Sequence, residues 1–234
     1  MQWYGSLFPR IKSHLPTNRI LEIACGCGHW TQYLKDLCKH LTVVDLSEEC
    51  IRTCQQRFAE DSNIEYHVND GKSLAMIPDS SIDFVFSFDA LVHVNDSVIE
   101  AYLSQLPRIL NKDGVAFIHH SNLGEYSARY SRIRKIPKLE GLLLRLGFLE
   151  NLHMRDFSVD AKRVEELAAK YGLRCISQET MPWRAKRTFV DCMSTIVRSD
   201  SSAVRTNRVL RNAQFMQEAN GLLQLARLYA SDGH

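Results

Sequence analysis

No apolar run in this chain approaches the ~18 residues that a membrane span requires, so no bilayer crossing is expected. The opening residues, MQWYGSLFPRIK, lack the charged, apolar and small-residue blocks of a secretory leader. Excess charge is also missing: 29 Lys and Arg face 27 Asp and Glu, for a net charge of +2. That is too near neutral to argue by itself for nucleic acid or a membrane as partner. There is no CxxC pair and no histidine pair at finger spacing, which removes the usual frameworks for structural zinc. The seven cysteines are an odd number in a long chain. They point to reduced thiols and a cytoplasmic compartment, not to a disulfide scaffold. Repeats and low-complexity tracts are absent. What is present is ordinary for a globular chain: 45% hydrophobic and 24% charged residues over 234 positions. That is enough for a sizeable core within one domain spanning 1–234. The oligomeric state stays open.

Strand and helix signals alternate along the first half. RILEIACGCGHWTQYL, Arg19 to Leu34, opens as a strand and closes as a helix, with two glycines at the joint. LTVVD follows as a β-branched run ending in Asp45, and Ser47 caps a helix carrying Cys50, Ile51, Cys54 and Phe58 at helical spacing. IEYHV stops at the turn signal NDG, and SIDFVFSF reads as a buried strand. Asp96 caps the next helix, through Leu110, with Pro107 bending or shortening it. VAFIHH is the fifth strand, LRCISQE and FVDCMSTIV are the last two, and VLRNAQFMQEANGLLQLARLYA is a C-terminal helix. Strands separated by helix-length segments predict an α/β, doubly wound, seven-stranded and mostly parallel sheet with right-handed crossovers. Residues 126–157 break the rhythm and read as a helical insertion after strand five.

The glycine turn excludes two ligand classes. A dinucleotide fingerprint needs a third glycine, and here Gly26 and Gly28 are followed by Trp30 and Thr31. A phosphate loop would need Gly-Lys-Ser/Thr, which is missing. LEIACGCGHWT resembles motif I of the class I S-adenosylmethionine-dependent methyltransferases, E/D-x-G-x-G-x-G, with Glu22 as the acid and Ala24 in place of the first glycine. The likeness runs over residues 15–125 and includes Asp45 after strand two and Asn69–Asp70 after strand three. It implies a Rossmann-like fold whose first half, 1–125, binds S-adenosylmethionine, with 158–234 supplying the last strands and C-terminal helix. It further implies cofactor contacts from Glu22, Ala24, Gly26, Gly28, Trp30, Asp45, Leu46, Asn69, Asp70, Gly71 and Phe88. The residue chemistry agrees. Glycines admit a close backbone approach, helix amides suit a carboxylate, Asp45 can accept from ribose hydroxyls, and Asp70 from an adenine amino group.

Methyl transfer to an oxygen needs positioning and a base. His119 and His120, at the end of strand five, and His93, after strand four, are candidates of suitable pKa. Adjacent strand residues face opposite sides, and His120, nearer the mouth, is favoured. Asp89 with His120 also forms a plausible Mg2+ site that would lower the pKa of a sugar hydroxyl. FSFDALVHV, HHSN, Gln178, Glu179, Trp183 and DCMST together are similar to bacterial methyltransferases of polysaccharide and sugar modification. That similarity implies a saccharide or other small-molecule acceptor, with Tyr126, Glu179 and Trp183 as substrate contacts. A phenol, carboxylate or amine acceptor is the alternative, as is a scaffold that binds cofactor without chemistry. The basic run Arg129, Arg132, Arg134, Lys135 and Lys138 can hold an anionic acceptor or be a solvated helix face. It lacks the interleaved aromatics of an RNA site, so nucleic acid is not favoured.

Overall fold

The computed structural model describes residues 2–146, 154–183 and 188–229. The chain begins with a π turn, Trp3–Leu7, running into α1 (Phe8–Ile11). Then come β1 (Thr17–Ile23), α2 (Thr31–Leu34), β2 (Cys38–Asp45), α3 (Glu48–Arg57), β3 (Ile64–Val68) and β4 (Ile82–Ser87). They are followed by α4 (Asp96–Ile109), β5 (Leu110–Ser121), α5 (Ser127–Arg134), α6 (Leu139–Arg145) and α7 (Ala161–Lys170). The last elements are β6 (Leu173–Met181), β7 (Asp191–Arg198), β8 (Arg208–Arg211) and α8 (Phe215–Tyr229). The helix expected after the glycine turn is only one turn of α2 before it tightens to 3-10 geometry at Lys35–Leu37.

Sheet order is β3-β2-β1-β4-β5-β7-β6-β8. β7 runs antiparallel between β5 and β6, and the other pairings are parallel. The expected α/β, doubly wound, mostly parallel sheet is therefore present, with eight strands where seven were expected. The additional strand, β8, is exposed at every residue and pairs with β6. Its residues had read as the start of the C-terminal helix, which instead begins at Phe215. Because helices cover both faces, the central strands read as unbroken apolar runs. Val85, Phe86, Ala116, Phe117 and Ile118 are all buried.

Local chemistry sets the helix starts. The Ser47 hydroxyl accepts from Cys50 N–H to open α3, and Asp160 accepts from Arg163 N–H to open α7. Asn95, not Asp96, caps α4 by accepting from Val98 N–H. Asp96 is turned aside to pair with Arg163 at 3.0 Å, joining α4 to α7. Pro107 is accommodated inside α4.

The stretch after β5 is helical, as α5 and α6, with residues 147–153 of the expected insertion outside the described residues. Tyr130 is its buried anchor, packed with Leu123 and Val190, and half-buried Tyr126, Ile133, Leu143, Phe157 and Trp183 complete the cluster. Arg155, beyond this stretch, reaches the sheet. Its Nε and Nη2 both donate to the fully buried carboxylate of Asp191 at the start of β7, the second at 2.6 Å. Burial alone would push Asp191 up, but the guanidinium overrides it and holds the carboxyl well below the carboxylate range. This contribution is full above the ordinary carboxylate pKa and is lost as pH falls through the depressed value. Arg155→Leu leaves a buried charge without a partner and should cost about 3–5 kcal/mol, read as a lowered urea midpoint at neutral pH. A midpoint within error of the parent would refute this account of the pair.

Candidate functional site

The parallel register brings the carboxyl ends of β1, β2, β3 and β4 to one edge, where ligands bind in open α/β sheets. A cavity of about 520 Å³ lies there. Asp45 is its fixed point. One carboxylate oxygen accepts from Gly26 N–H at 2.9 Å and the other from Ser47 N–H at 2.9 Å. Its backbone carbonyl accepts from Asn69 N–H. Through one residue the ends of β1, β2 and β3 are laced together.

The glycines serve different purposes. Gly26 takes φ +54°, and a Cβ built there would meet nothing within 4 Å, so its missing side chain leaves space in the cavity. Gly28 takes φ +80°, and a Cβ would stand 2.6 Å from the Phe58 ring, so its missing side chain lets α3 close on the loop. Ala24 also sits at φ +59°, a region that disfavours a Cβ. The exchange of glycine for alanine at this position is therefore a strained one, not a neutral swap of small residues. The Cys25 and Cys54 thiols each donate to the Gly26 carbonyl at 3.3 Å, holding the loop from beneath.

Glu22 lies under this loop and is almost fully buried. One oxygen accepts from the Thr31 hydroxyl at 2.6 Å, and the other, Oε1, has no partner among the described residues. Burial, only partly opposed by Thr31, pushes its pKa up to about 8. The side chain therefore carries a proton at neutral pH until something positive arrives beside it.

The remaining cofactor candidates divide. Leu46, Gly71, Trp30 and Phe88 line the cavity with Ala24, Gly26 and Asp45. Asn69 builds the turn: its amide accepts from Gly71 N–H and donates to the Ser73 carbonyl and the Tyr102 hydroxyl. Asp70 is an exposed turn residue whose Oδ1 accepts from Lys72 and Ser73 N–H. Its side chain does not line the cavity.

The histidines are placed differently from the expectation. His120 is fully buried, with Nε2 2.8 Å from the Ser194 hydroxyl and Nδ1 2.8 Å from the Ser121 carbonyl. Burial pushes its pKa down to about 4 despite that carbonyl, so it stays neutral and faces β7. His119 is the one directed toward the cavity wall, stacked on Phe88 at 4.3 Å between ring centres. It too is fully buried. Its Nδ1 accepts from Asp89 N–H at 3.1 Å, which leaves the Nε2 proton toward Asp191, 3.4 Å away. His93 is exposed on the turn Leu91–His93 and does not line the cavity. The expected Mg2+ pair does not form, because Asp89 lines the cavity while His120 lies against Ser194. Among the described residues no group of three or more His, Cys, Asp or Glu is placed to hold a metal.

The three expected substrate residues are in structural contacts. Glu179 accepts from Arg10 and from Asn212, tying β6 to α1 and to the segment before α8. The Tyr126 hydroxyl accepts from Phe189 N–H. Trp183 donates from Nε1 to Asp191 and stands 6.1 Å from Phe215. The expected site residue Asp89 does line the cavity, without His120, and His29, which spacing did not mark, lines it as well. Both are exposed, His29 edge-on to Trp30 at 4.3 Å and Asp89 held at φ +60°. His29 lies inside the quoted glycine motif, and that position was the available signal.

Residues 20–114 match a family described as a methyltransferase domain, Methyltransf_25. Phosphoethanolamine N-methyltransferase 2 of Caenorhabditis elegans is 25% identical over 190 residues, 79% of this chain and 39% of that protein. A ubiquinone biosynthesis O-methyltransferase of Xanthomonas campestris is 28% identical over 109 residues, 46% of this chain and 45% of that protein. The chain thus spans less than half the length of these curated relatives. A solved S-adenosylmethionine dependent methyltransferase from Mesorhizobium loti superposes with a TM-score of 0.61 at 17% identity, covering 85% of this chain and all of that one. The fold is that of the class I S-adenosylmethionine-dependent methyltransferases.

Two stability measurements check the loop. Ala24→Gly relieves the left-handed strain and should stabilise by about 0.5–1 kcal/mol after the added chain entropy of glycine, read by thermal or urea unfolding. For Glu22, a folded pKa raised above the unfolded value means full stability below the ordinary carboxylate pKa and progressive loss as pH rises through about 8. Glu22→Gln should flatten the stability–pH curve over that window, and an unchanged slope would mean that Glu22 is ionised in the fold.

Proposed function

We propose that this chain is a methyltransferase that binds S-adenosylmethionine at the carboxyl ends of β1 to β4 and methylates a small-molecule acceptor. The observation that carries the reading is the pairing of Asp45 with an open Gly26 above a buried, half-partnered Glu22. Each Asp45 oxygen accepts one backbone N–H and keeps a lone pair for a ribose hydroxyl. Space over Gly26 admits the cofactor's backbone-like methionine end. The unpartnered Oε1 of Glu22 suits an approaching ammonium, whose charge would favour ionisation of the acid. Leu46, Gly71, Trp30 and Phe88 line the same cavity and would form the walls around the bound cofactor. When bound, the cofactor supplies an electrophilic methyl group for in-line displacement, so orientation and water exclusion are the protein's main contributions.

The acceptor loses a proton if it is a hydroxyl, and His29 and Asp89, both exposed at the cavity, are the groups suited to take it. No part is assigned to Mg2+. A saccharide hydroxyl remains within the acceptor class, but Trp183 and Glu179 are engaged elsewhere and offer it no platform. The activities of the relatives, N-methylation of phosphoethanolamine and O-methylation in ubiquinone biosynthesis, support small acceptors bearing an amine or a hydroxyl.

Calorimetry should give one-to-one binding of S-adenosylmethionine and of its demethylated product, with no NAD binding. Asp45→Ala should weaken it by about 1–3 kcal/mol. Tight NAD binding with no response to the methyl donor overturns the reading. A labelled-methyl screen across sugars, phenols, carboxylates and amines then identifies the acceptor. With that acceptor, replacing the true base by alanine should lower kcat about 10²–10⁴-fold while leaving cofactor affinity unchanged. If neither His29→Ala nor Asp89→Ala does so, the base lies elsewhere.

A further inference from the structure

The stretch Ser127 to Leu146 holds six cations, Arg129, Arg132, Arg134, Lys135, Lys138 and Arg145, and a single acid, Glu140. Glu140 is taken by Arg134 at 3.3 Å, whose guanidinium also lies over the Phe157 ring. The same stretch exposes large apolar side chains. Ile136 is 55% exposed, Leu142 52%, Leu144 39% and Leu146 58%. Its inner face is well packed: Tyr130 is fully buried, and Ile133 and Leu143 pack beside it. The helices therefore use one face to seat themselves on the domain and still present leucines and an isoleucine outward, between exposed Arg132, Lys135, Lys138 and Arg145.

Leucines alone would suit a protein groove, and cations alone an anionic solute or RNA. The combination on a short helical pair, with no exposed aromatic for base stacking in α5 or α6, is the composition of a segment that lies in a lipid–water interface. We propose that α5 and α6 form a docking surface for an anionic membrane. Leu142 and Leu146, one helical turn apart, enter the headgroup boundary with Ile136, and the surrounding Arg and Lys pair with lipid phosphates. The surface connects to the cavity by contact. Trp183 packs in the same cluster as Tyr130 and stands 6.4 Å from His119, which stacks on the cavity residue Phe88. The inference does not depend on the acceptor assigned above.

The test is co-sedimentation of the full chain with phosphatidylcholine vesicles, with and without phosphatidylglycerol, over a range of salt. Binding is expected to the anionic vesicles only, and it should weaken as salt rises. Arg132→Ser, Lys135→Ser and Lys138→Ser combined should lower partitioning by about a hundredfold, at roughly 1 kcal/mol per cation. Leu142→Ser and Leu146→Ser combined should abolish it. S-adenosylmethionine affinity, measured by calorimetry, should stay at the parent value in both sets, which shows that the fold is intact. No binding to anionic vesicles overturns the proposal. So does binding that the leucine variant keeps, which would identify a charge-only site. Competition by single-stranded RNA at equal phosphate would reassign the surface to nucleic acid. Parent-like vesicle binding with lost turnover in the leucine variant would make these leucines a cover for the acceptor.

Discussion

The structure turns on a single carboxylate. Asp45 accepts the Gly26 and Ser47 amides through its side chain and the Asn69 amide through its carbonyl. Three consecutive crossovers thereby end at a common point, and the cavity has a floor before any ligand enters. A parallel sheet makes this possible, because its strand ends lie side by side and their terminal amides are free to be gathered. The glycine loop then needs only the thiols of Cys25 and Cys54 below it, and the missing Cβ of Gly28 beside it, to hold its shape.

A second buried charge organises the far wall. Asp191 collects Arg155, the Trp183 indole and, at longer range, His119. With its Nε2 proton turned that way, His119 presents a bare Nδ1 to the Asp89 amide. The left-handed Asp89 is thus held by a histidine that never touches the cavity. Residues from β5, β7, the loop after β4 and the segment before α7 are fixed through one carboxylate.

Most of this fold was legible where chemistry and periodicity agree. Apolar runs marked β1, β2, β4 and β5, and the acids at their ends marked the cavity rim. The misreadings have physical causes. β8 exposes all four residues, so no buried face patterned its sequence, and its arginines and leucine passed for helix. Asn95 and Asp96 are both good caps in adjacent positions, and the pull of Arg163 on Asp96 decided between them. For the histidine pair, nearness to the strand end was the wrong guide. β5 continues through Ser121 in register with β7, so alternation sends His119 toward Phe88 and His120 toward Ser194. Asp70 sits in an NDG that is both a motif and a turn, and the turn claims its Oδ1.

The antiparallel β7 has a consequence for how the chain is made. It is hydrogen-bonded between β5 and β6, yet it follows both in sequence. Until residue 198 has left the ribosome, β5 presents a long, apolar, unpaired edge, the kind of template that invites association with other chains. The first five strands can assemble from segments close in sequence, whereas β7, paired antiparallel with β6, reaches β5 only after both have been made. Arg155 waits for Asp191 over the same interval. The late arrival of one strand thus closes the edge of β5 and neutralises a buried charge in a single event.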